Sequence, residues 1–357
     1  MRSTTTRLVT ILGLVGGAGA CATIRQSEAI DAERSLHAAT PLFTFAQISD
    51  SQPASSADWA MFGRVLDTIV AAGTSGALIP QPIDFVLFPG DLVNTSADTS
   101  AWVQWVNTMG KLTAAGIPYH AVPGNRDTKD IGAVNFESYV GDSSVWETDT
   151  ATVVGMNGRS VETGWSGLRI IGFNDDNPGL NEISPSDLQL ISSKVAAAAA
   201  ANQNILLLGH HSHDGENVIP LANVLPNPSI CCYNHGHRGS PHAEKGLNSI
   251  SNPNVWDFDS NAIYADGAIL YYEAYATQLK VYVIQLALNP TSLPAAATVT
   301  LPHRLYAASV SKPTADFSDT PVTGLAPLAV AFTDLSTPRR FICRRQQRAP
   351  DCERLVR

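Results

Sequence analysis

Five short polar blocks punctuate this chain, each placed after an apolar stretch: Ile48-Ser-Asp-Ser-Gln52, Pro89-Gly-Asp-Leu-Val-Asn94, Pro123-Gly-Asn-Arg-Asp127, Gly209-His-His-Ser-His213 and Asn234-His-Gly-His-Arg-Gly239. The preceding stretches read as buried strands; Phe85–Phe88, for example, is a continuous apolar run of the kind buried on both faces. Each block therefore delivers Asp, Asn or His at the point where a strand ends. Carboxylate, amide oxygen and imidazole together form a ligand set suited to a pair of divalent transition metals.

Helical patterns alternate with these strands. From Asp58 to Ala72, the residues Trp59, Phe62, Val65, Leu66 and Ile69 fall on one helical face, with Gly73 as the stop. Trp102, Trp105, Val106, Met109 and Leu112 repeat at the same spacing, and Gly116 closes that helix. Tyr119–Val122 and Leu168–Phe173 read as strands. Ser184-Pro185 opens an alanine-rich helix that ends near Asn202, just before the strand Ile205–Leu208. Strand alternating with helix is the pattern of an α/β layered fold. Ala268–Ala276 and Leu279–Leu288 alternate instead like antiparallel strands, as if closing a second sheet, and Asn289–Pro302 reads as the start of a linker.

The chain has 357 residues, of which 44% are hydrophobic and 15% charged, enough to bury a sizeable core. A net charge of −9 argues against a nucleic-acid binder, which needs a basic footprint. Phosphate substrates stay open, because bound metals supply positive charge locally. Residues 1–20 read as an export signal: Arg2 and Arg7 precede the apolar run Leu8–Val15, and the small residues Gly16–Ala20 follow. That run is too short to span a bilayer, so no transmembrane helix is expected. The expected location is periplasmic, extracellular or at the cell surface, with a lipoprotein form conceivable through Cys21. Residues 21–40 read as a spacer. Cys231 and Cys232 are adjacent, too close for an ordinary disulfide, and read as small buried hydrophobes.

From the residues alone, the candidate ligands are Asp50, Asp91, Asn125, His210, His235 and His237. Two metals about 3.5–4 Å apart need a bridging group, and a carboxylate, here Asp91, is the natural one. His235 and His237 point to the same side of an extended segment. His210 is preferred over His211 because it comes first after the apolar run. His213 is a substrate contact or a solvated loop histidine.

In order and combination, these blocks resemble the motifs of the calcineurin-like metallophosphoesterases, over residues 41 to 288. The resemblance implies a two-sheet α/β sandwich around two divalent metal ions (manganese, iron or zinc) and a phosphate-ester substrate. It implies that Asp50 binds one metal, Asp91 bridges both and Asn125 binds the second. His210 and His235 would join the second metal and His237 the first. Gln52 stands where the family has a metal-binding His, and its amide oxygen is the replacement ligand. The catalytic assignment falls on Arg126 and Asp127. Arg126 replaces a His that assists ester cleavage; an Arg cannot give up a proton near neutral pH, though it can clamp a phosphoryl oxygen. Its other reading is an ion pair with Asp127 or a neighbouring acid. Asn234 replaces a Gly before the His-x-His pair.

After the linker, residues 289–312, the segment 313–337 resembles the opening of a PKD-type β-sandwich, with too few strands for an independent core. Residues 338–357 are basic, with seven arginines, and read as a disordered tail. Two functions follow as expectations. One is an exported phosphoesterase cleaving phosphomonoesters or diesters by in-line attack of a metal-activated hydroxide. The other is a catalytically weak metal-binding or cell-surface protein that keeps the same fold.

Overall fold

In the computed structural model the described residues are 40–176, 183–212, 221, 223–237, 242–245, 254–260, 262–288 and 295–308, with two short strands at 317–320 and 331–334. One compact unit runs through Leu305, and a second begins at Tyr306.

Two six-stranded sheets organise the first unit. In the first sheet, β1 (Phe43–Gln47), β2 (Phe85–Pro89) and β3 (Tyr119–Val122) run parallel, joined by two helical crossovers. In the second, β4 (Trp146–Asp149) pairs antiparallel with β5 (Leu168–Gly172). There β5, β6 (Asn204–Leu208), β7 (Ile230–His235) and β9 (Trp256–Asp259) run parallel, and β8 (His242–Lys245) lies antiparallel at the edge. Strands β10 (Ala268–Tyr275), β11 (Gln278–Gln285) and β12 (Ala295–Thr300) complete the first sheet, in the order β12-β11-β10-β1-β2-β3.

This differs from the sequence expectation at two points. The hairpin β10–β11 extends the first sheet, because β10 pairs antiparallel with β1 along its whole length, Phe43 facing Ala274 and Gln47 facing Leu270. It does not close a second sheet. Residues 295–300, inside the segment read as a linker, add the outermost strand: Ala297 and Val299 are buried, while Ala296 and Thr298, which alternate with them, are exposed. That alternation was masked by the Pro and Thr around it.

The strand side chains sort into layers. Phe43, Phe45, Phe85, Leu87 and Val122 of the first sheet pack against Leu168, Ile170, Leu206, Leu208 and Phe258 of the second. Phe45 stacks between Phe85 (5.0 Å between ring centroids) and Tyr272 (4.2 Å). Cys231 and Cys232 are free and buried in this layer. On the outer face of the first sheet, Ala46, Ile48, Val86 and Phe88 meet α1 (Ser56–Val70) and α2 (Thr99–Ala114). Helix α1 buries Phe62, Val65, Leu66 and Ile69 as its periodicity predicts, and Ser55 caps it by accepting from the Asp58 N–H. Helix α2 buries Trp102, Trp105, Met109 and Leu112, but Val106 lies on its exposed side.

Two short helices follow, α3 (Asn125–Thr128) and α4 (Val134–Tyr139). On the outer face of the second sheet, Ile171, Ile205 and Leu207 meet α5 (Pro185–Ala200), which Ser184 caps. The result is a helix–sheet–sheet–helix sandwich, each apolar face covered by another layer.

Among the described residues no helix is long and apolar enough to cross a membrane. In the second unit, Phe317–Thr320 pairs antiparallel with Ala331–Asp334. The export-signal reading of 1–20 and the basic tail 338–357 lie outside the described residues, as do all but the last residue of the spacer 21–40 and most of the PKD-like segment.

Candidate metal centre

Because β1, β2 and β3 are parallel in one sheet and β6 and β7 in the other, their carboxyl ends open on the same edge of the sandwich. Ligands bind at such ends in α/β sheets, where successive loops converge. Asp50 follows β1, Asp91 follows β2, Asn125 opens α3 after β3, His210 follows β6, and His235 closes β7 with His237 two residues on.

The backbone there is strained. Among the described residues only four non-glycine residues have positive φ, and three belong to this edge: Asp50 (50°), Asp91 (54°) and His237 (75°). Such residues cost roughly 1–3 kcal/mol each and persist where the surroundings over-determine them. Cross-ties do so here: the Asp50 N–H donates to Gly90 O (3.1 Å), the Gln52 N–H to Asp91 O (3.0 Å) and the Gly236 N–H to His210 O (3.0 Å). A Cβ at Gly124 would overlap the backbone and carboxylate of Asp91, and one at Gly236 would overlap the Asp50 carboxylate. Both glycines let the loops close this tightly.

The side chains converge as follows. Asp50, Asp91 and His210 are buried and offer ligand atoms within 4.8 Å of one another, and so do His210, His211 and His237. His210 Nδ1 lies 2.7 Å from Pro89 O, which accepts its proton and leaves the Nε2 lone pair facing inward. That Nε2 is 3.4 Å from Asp91 Oδ1, 3.1 Å from Asn125 Oδ1 and 3.2 Å from His237 Nδ1. Two donors on one ion, each about 2.0–2.2 Å from it, stand about 3.0–3.4 Å apart, so this spacing suits a shared cation.

Electrostatics agree. Burial raises the Asp50 carboxyl, and raises Asp91 strongly with the added charges of Asp50 and Asp127. Burial and the neighbouring histidines hold His210 down to about 3 and His237 to about 4. Carboxylates that repel one another and imidazoles kept neutral fit a divalent cation among them.

Asp127, Arg126, Gln52 and His235 surround these ligands in different ways. Asp127, expected as catalytic, is fully buried and accepts from the N–H groups of Leu92 (2.9 Å), Val93 (3.1 Å) and Gly124 (2.9 Å). Burial pushes its carboxyl up to about 7 against the pull of these donors. It braces the loop that carries Asp91.

Arg126 donates its backbone N–H to Asp91 Oδ1 (2.8 Å) while its side chain is exposed. The Asp127 oxygens already accept three N–H groups, whereas the Arg126 charge acts on the neighbouring Asp91 carboxyl and holds it down somewhat against the burial that raises it. Gln52 is half-buried and tied in by its backbone.

His235 belongs to neither cluster. Its Nδ1 lies 2.7 Å from Gly236 O and its Nε2 3.1 Å from Asp257 Oδ1, with Asp259 at 3.9 Å from Nδ1. Burial alone would lower its pKa, but Asp257 and Asp259 outweigh burial and raise it to about 9. His213 lies outside the described residues.

Asp175 went unnoticed in the sequence. Its Oδ2 accepts the N–H groups of His210 (2.8 Å) and His211 (2.9 Å), and its Oδ1 faces His211 Nδ1 (3.1 Å). The signal was available, since Asp175 follows the apolar run Leu168–Phe173 just as Asp50 follows its own strand.

Comparison with known proteins agrees with this geometry. The family description "calcineurin-like phosphoesterase" matches residues 43–245, more than half of the chain. A dimetal phosphatase from Danio rerio has a similar structure, at 12% identity and a TM-score of 0.54, covering 73% of this chain and 99% of that one. A 5'-nucleotidase from Candida albicans aligns at 14% identity over 66% of this chain and 48% of its own, with a TM-score of 0.38. No curated protein matches the sequence. With its motifs in order on the ends of parallel strands and the family match across 43–245, the chain belongs to the calcineurin-like phosphoesterases, hydrolases of phosphoric esters.

Proposed function

We propose that this protein is an exported, metal-dependent phosphoesterase acting on phosphomonoesters or phosphodiesters. The observation that carries the reading is the buried convergence of Asp50, Asp91 and His210 at the carboxyl edge of both sheets. Asp50, Asp91, Asn125, His210 and His237 would hold two divalent ions, with Asp91 between them and Gln52 alongside. When bound, such ions supply a nucleophile at neutral pH and neutralise charge on the phosphoryl oxygens.

The chain's own residues do the rest. Asp127 holds the Asp91 loop through the N–H groups of Leu92 and Val93 and ties it to Gly124, and Pro89 O fixes the His210 tautomer. Arg126, exposed beside Asp91, is free to take a phosphoryl oxygen through its guanidinium. It supplies no proton to the departing alcohol. Loss of a general acid costs about 10²–10⁴ in rate, so esters with good leaving groups are the favoured substrates. Export rests on the sequence of residues 1–20.

The test is hydrolysis of p-nitrophenyl phosphate and its bis-ester, with elemental analysis, for wild type and Asp91→Ala. Metal-dependent turnover that disappears together with bound metal in the variant is expected. Full activity in Asp91→Ala would overturn the reading. A second reading, a metal-binding protein with little turnover, is favoured by Gln52, Arg126 and the pairing of His235 with Asp257. Metal-loaded protein inert toward both esters would select it.

A further inference from the structure

Resting on the metal centre proposed above, we infer that His211 is an inner ligand of that centre, in the place beside His210 that the sequence reading gave to His235.

Three observations carry this. The first is what each ring has left to offer. His235 has a carbonyl on one nitrogen and a carboxylate on the other, Gly236 O at 2.7 Å and Asp257 Oδ1 at 3.1 Å. Both of its ring nitrogens thus face oxygen atoms, and His235 belongs to neither group of converging ligand atoms. His211 has Asp175 Oδ1 at 3.1 Å from Nδ1, which leaves Nε2 to point onward. A carboxylate behind one imidazole nitrogen is the usual backing of a metal-binding histidine, since it sets the tautomer and raises the basicity of the other nitrogen.

The second is position. A ring nitrogen of His211 lies within 4.8 Å of one from His210 and one from His237, and the His211 and His237 ring centroids are 4.5 Å apart. The third is how firmly the residue is held. Its N–H donates to Asp175 Oδ2 at 2.9 Å, its carbonyl accepts from Tyr233 Oη at 2.6 Å, and it is only 6% exposed. A histidine kept merely for packing would not need its main chain and ring fixed by the same carboxylate.

The exchange keeps three imidazoles at the centre, His210, His211 and His237. Three imidazoles suit zinc, iron or similar borderline ions better than magnesium or calcium.

The experiment uses the full chain, labelled with heavy nitrogen in its histidines and loaded with a spin-active cadmium isotope. Scalar coupling between cadmium and nitrogen passes only through a bond, so it identifies ligands directly. Coupling to His210, His211 and His237, with none to His235, is the expected result. Coupling to His235 and none to His211 overturns the inference while leaving the metal centre intact. Coupling to no histidine, or unchanged cadmium stoichiometry in Asp91→Ala, removes the metal centre itself.

Independently, His211→Gln should weaken cadmium binding by about 10–100-fold or more in calorimetry, with an unfolding curve like that of wild type. Unchanged affinity in the folded variant counts against the inference. If the variant does not fold, the coupling pattern of wild type decides.

Discussion

Asp127 Oδ1 accepts the backbone N–H of Leu92 at 2.9 Å, and through this bond a residue two positions past the ligand block Gly124-Asn125 sets the loop that carries Asp91. The same carboxylate reaches Val93 and Gly124, so it joins the ends of β2 and β3. Asp127→Ala should leave three buried N–H groups without an acceptor, at about 1–3 kcal/mol for each one that water cannot reach. Chemical denaturation should show that loss, and bound metal should fall with it because Asp91 is no longer held. A catalytic Asp127 would instead leave stability and metal content near wild type.

His235 and Asp257 make the complementary case. Both side chains are fully buried, 3.1 Å apart. Removing one partner of a buried ion pair costs about 3–5 kcal/mol, because the other charge stays behind in a poor medium. Asp257→Ala should lose stability in that range by urea unfolding, moderated by Asp259 at 3.9 Å. A change below about 1 kcal/mol would mean that His235 is neutral and faces elsewhere.

Arg126 should separate binding from folding. Its side chain is exposed, so Arg126→Ala should change stability by no more than about 0.5 kcal/mol. If the guanidinium holds a phosphoryl oxygen, KM for p-nitrophenyl phosphate should rise by roughly tenfold, one charged hydrogen bond's worth. Metal content should not change. Identical kinetics would assign Arg126 to the solvated surface.

His120 predicts an acid-sensitive stability unrelated to the metal centre. On β3 it faces the layer between the sheets, stacked on Trp146 at 4.5 Å, and neither ring nitrogen has a hydrogen-bond partner among the described residues. Burial lowers its pKa from 6.5 to about 4. Between those values the unfolded chain takes up a proton that the folded chain refuses. Stability from this group is therefore complete above pH 6.5 and drains away as pH falls toward 4, by up to about 3 kcal/mol. His120→Phe keeps the stack and removes the proton site. The variant's stability should fall less steeply than wild type between those pH values in denaturant titrations, and parallel curves would refute the assignment.

Much of the architecture was legible because it is written in local patterns. The continuous apolar runs at Phe85–Phe88 and Ile205–Leu208 became strands buried on both faces, and the helical stripes of α1 and α2 became their covering layers. The candidate site was half legible. Asp50, Asp91, Asn125, His210 and His237 do converge, since each ends a strand whose neighbours are parallel to it. Asp175 carried the same local signal and was overlooked, and β12 was hidden by the loop-like composition around it.

What the sequence alone determined was the order of elements and the placing of polar residues at strand ends, because apolar periodicity and punctuation act over a few neighbouring residues. Only the tertiary structure decided which way each imidazole faces. His211 and His235 both follow apolar runs and both precede other histidines, so nothing local distinguishes them. The difference lies in carboxylates far away in the chain, Asp175 behind His211 and Asp257 against His235, and a ring's free lone pair depends on those partners rather than on its own neighbours in sequence.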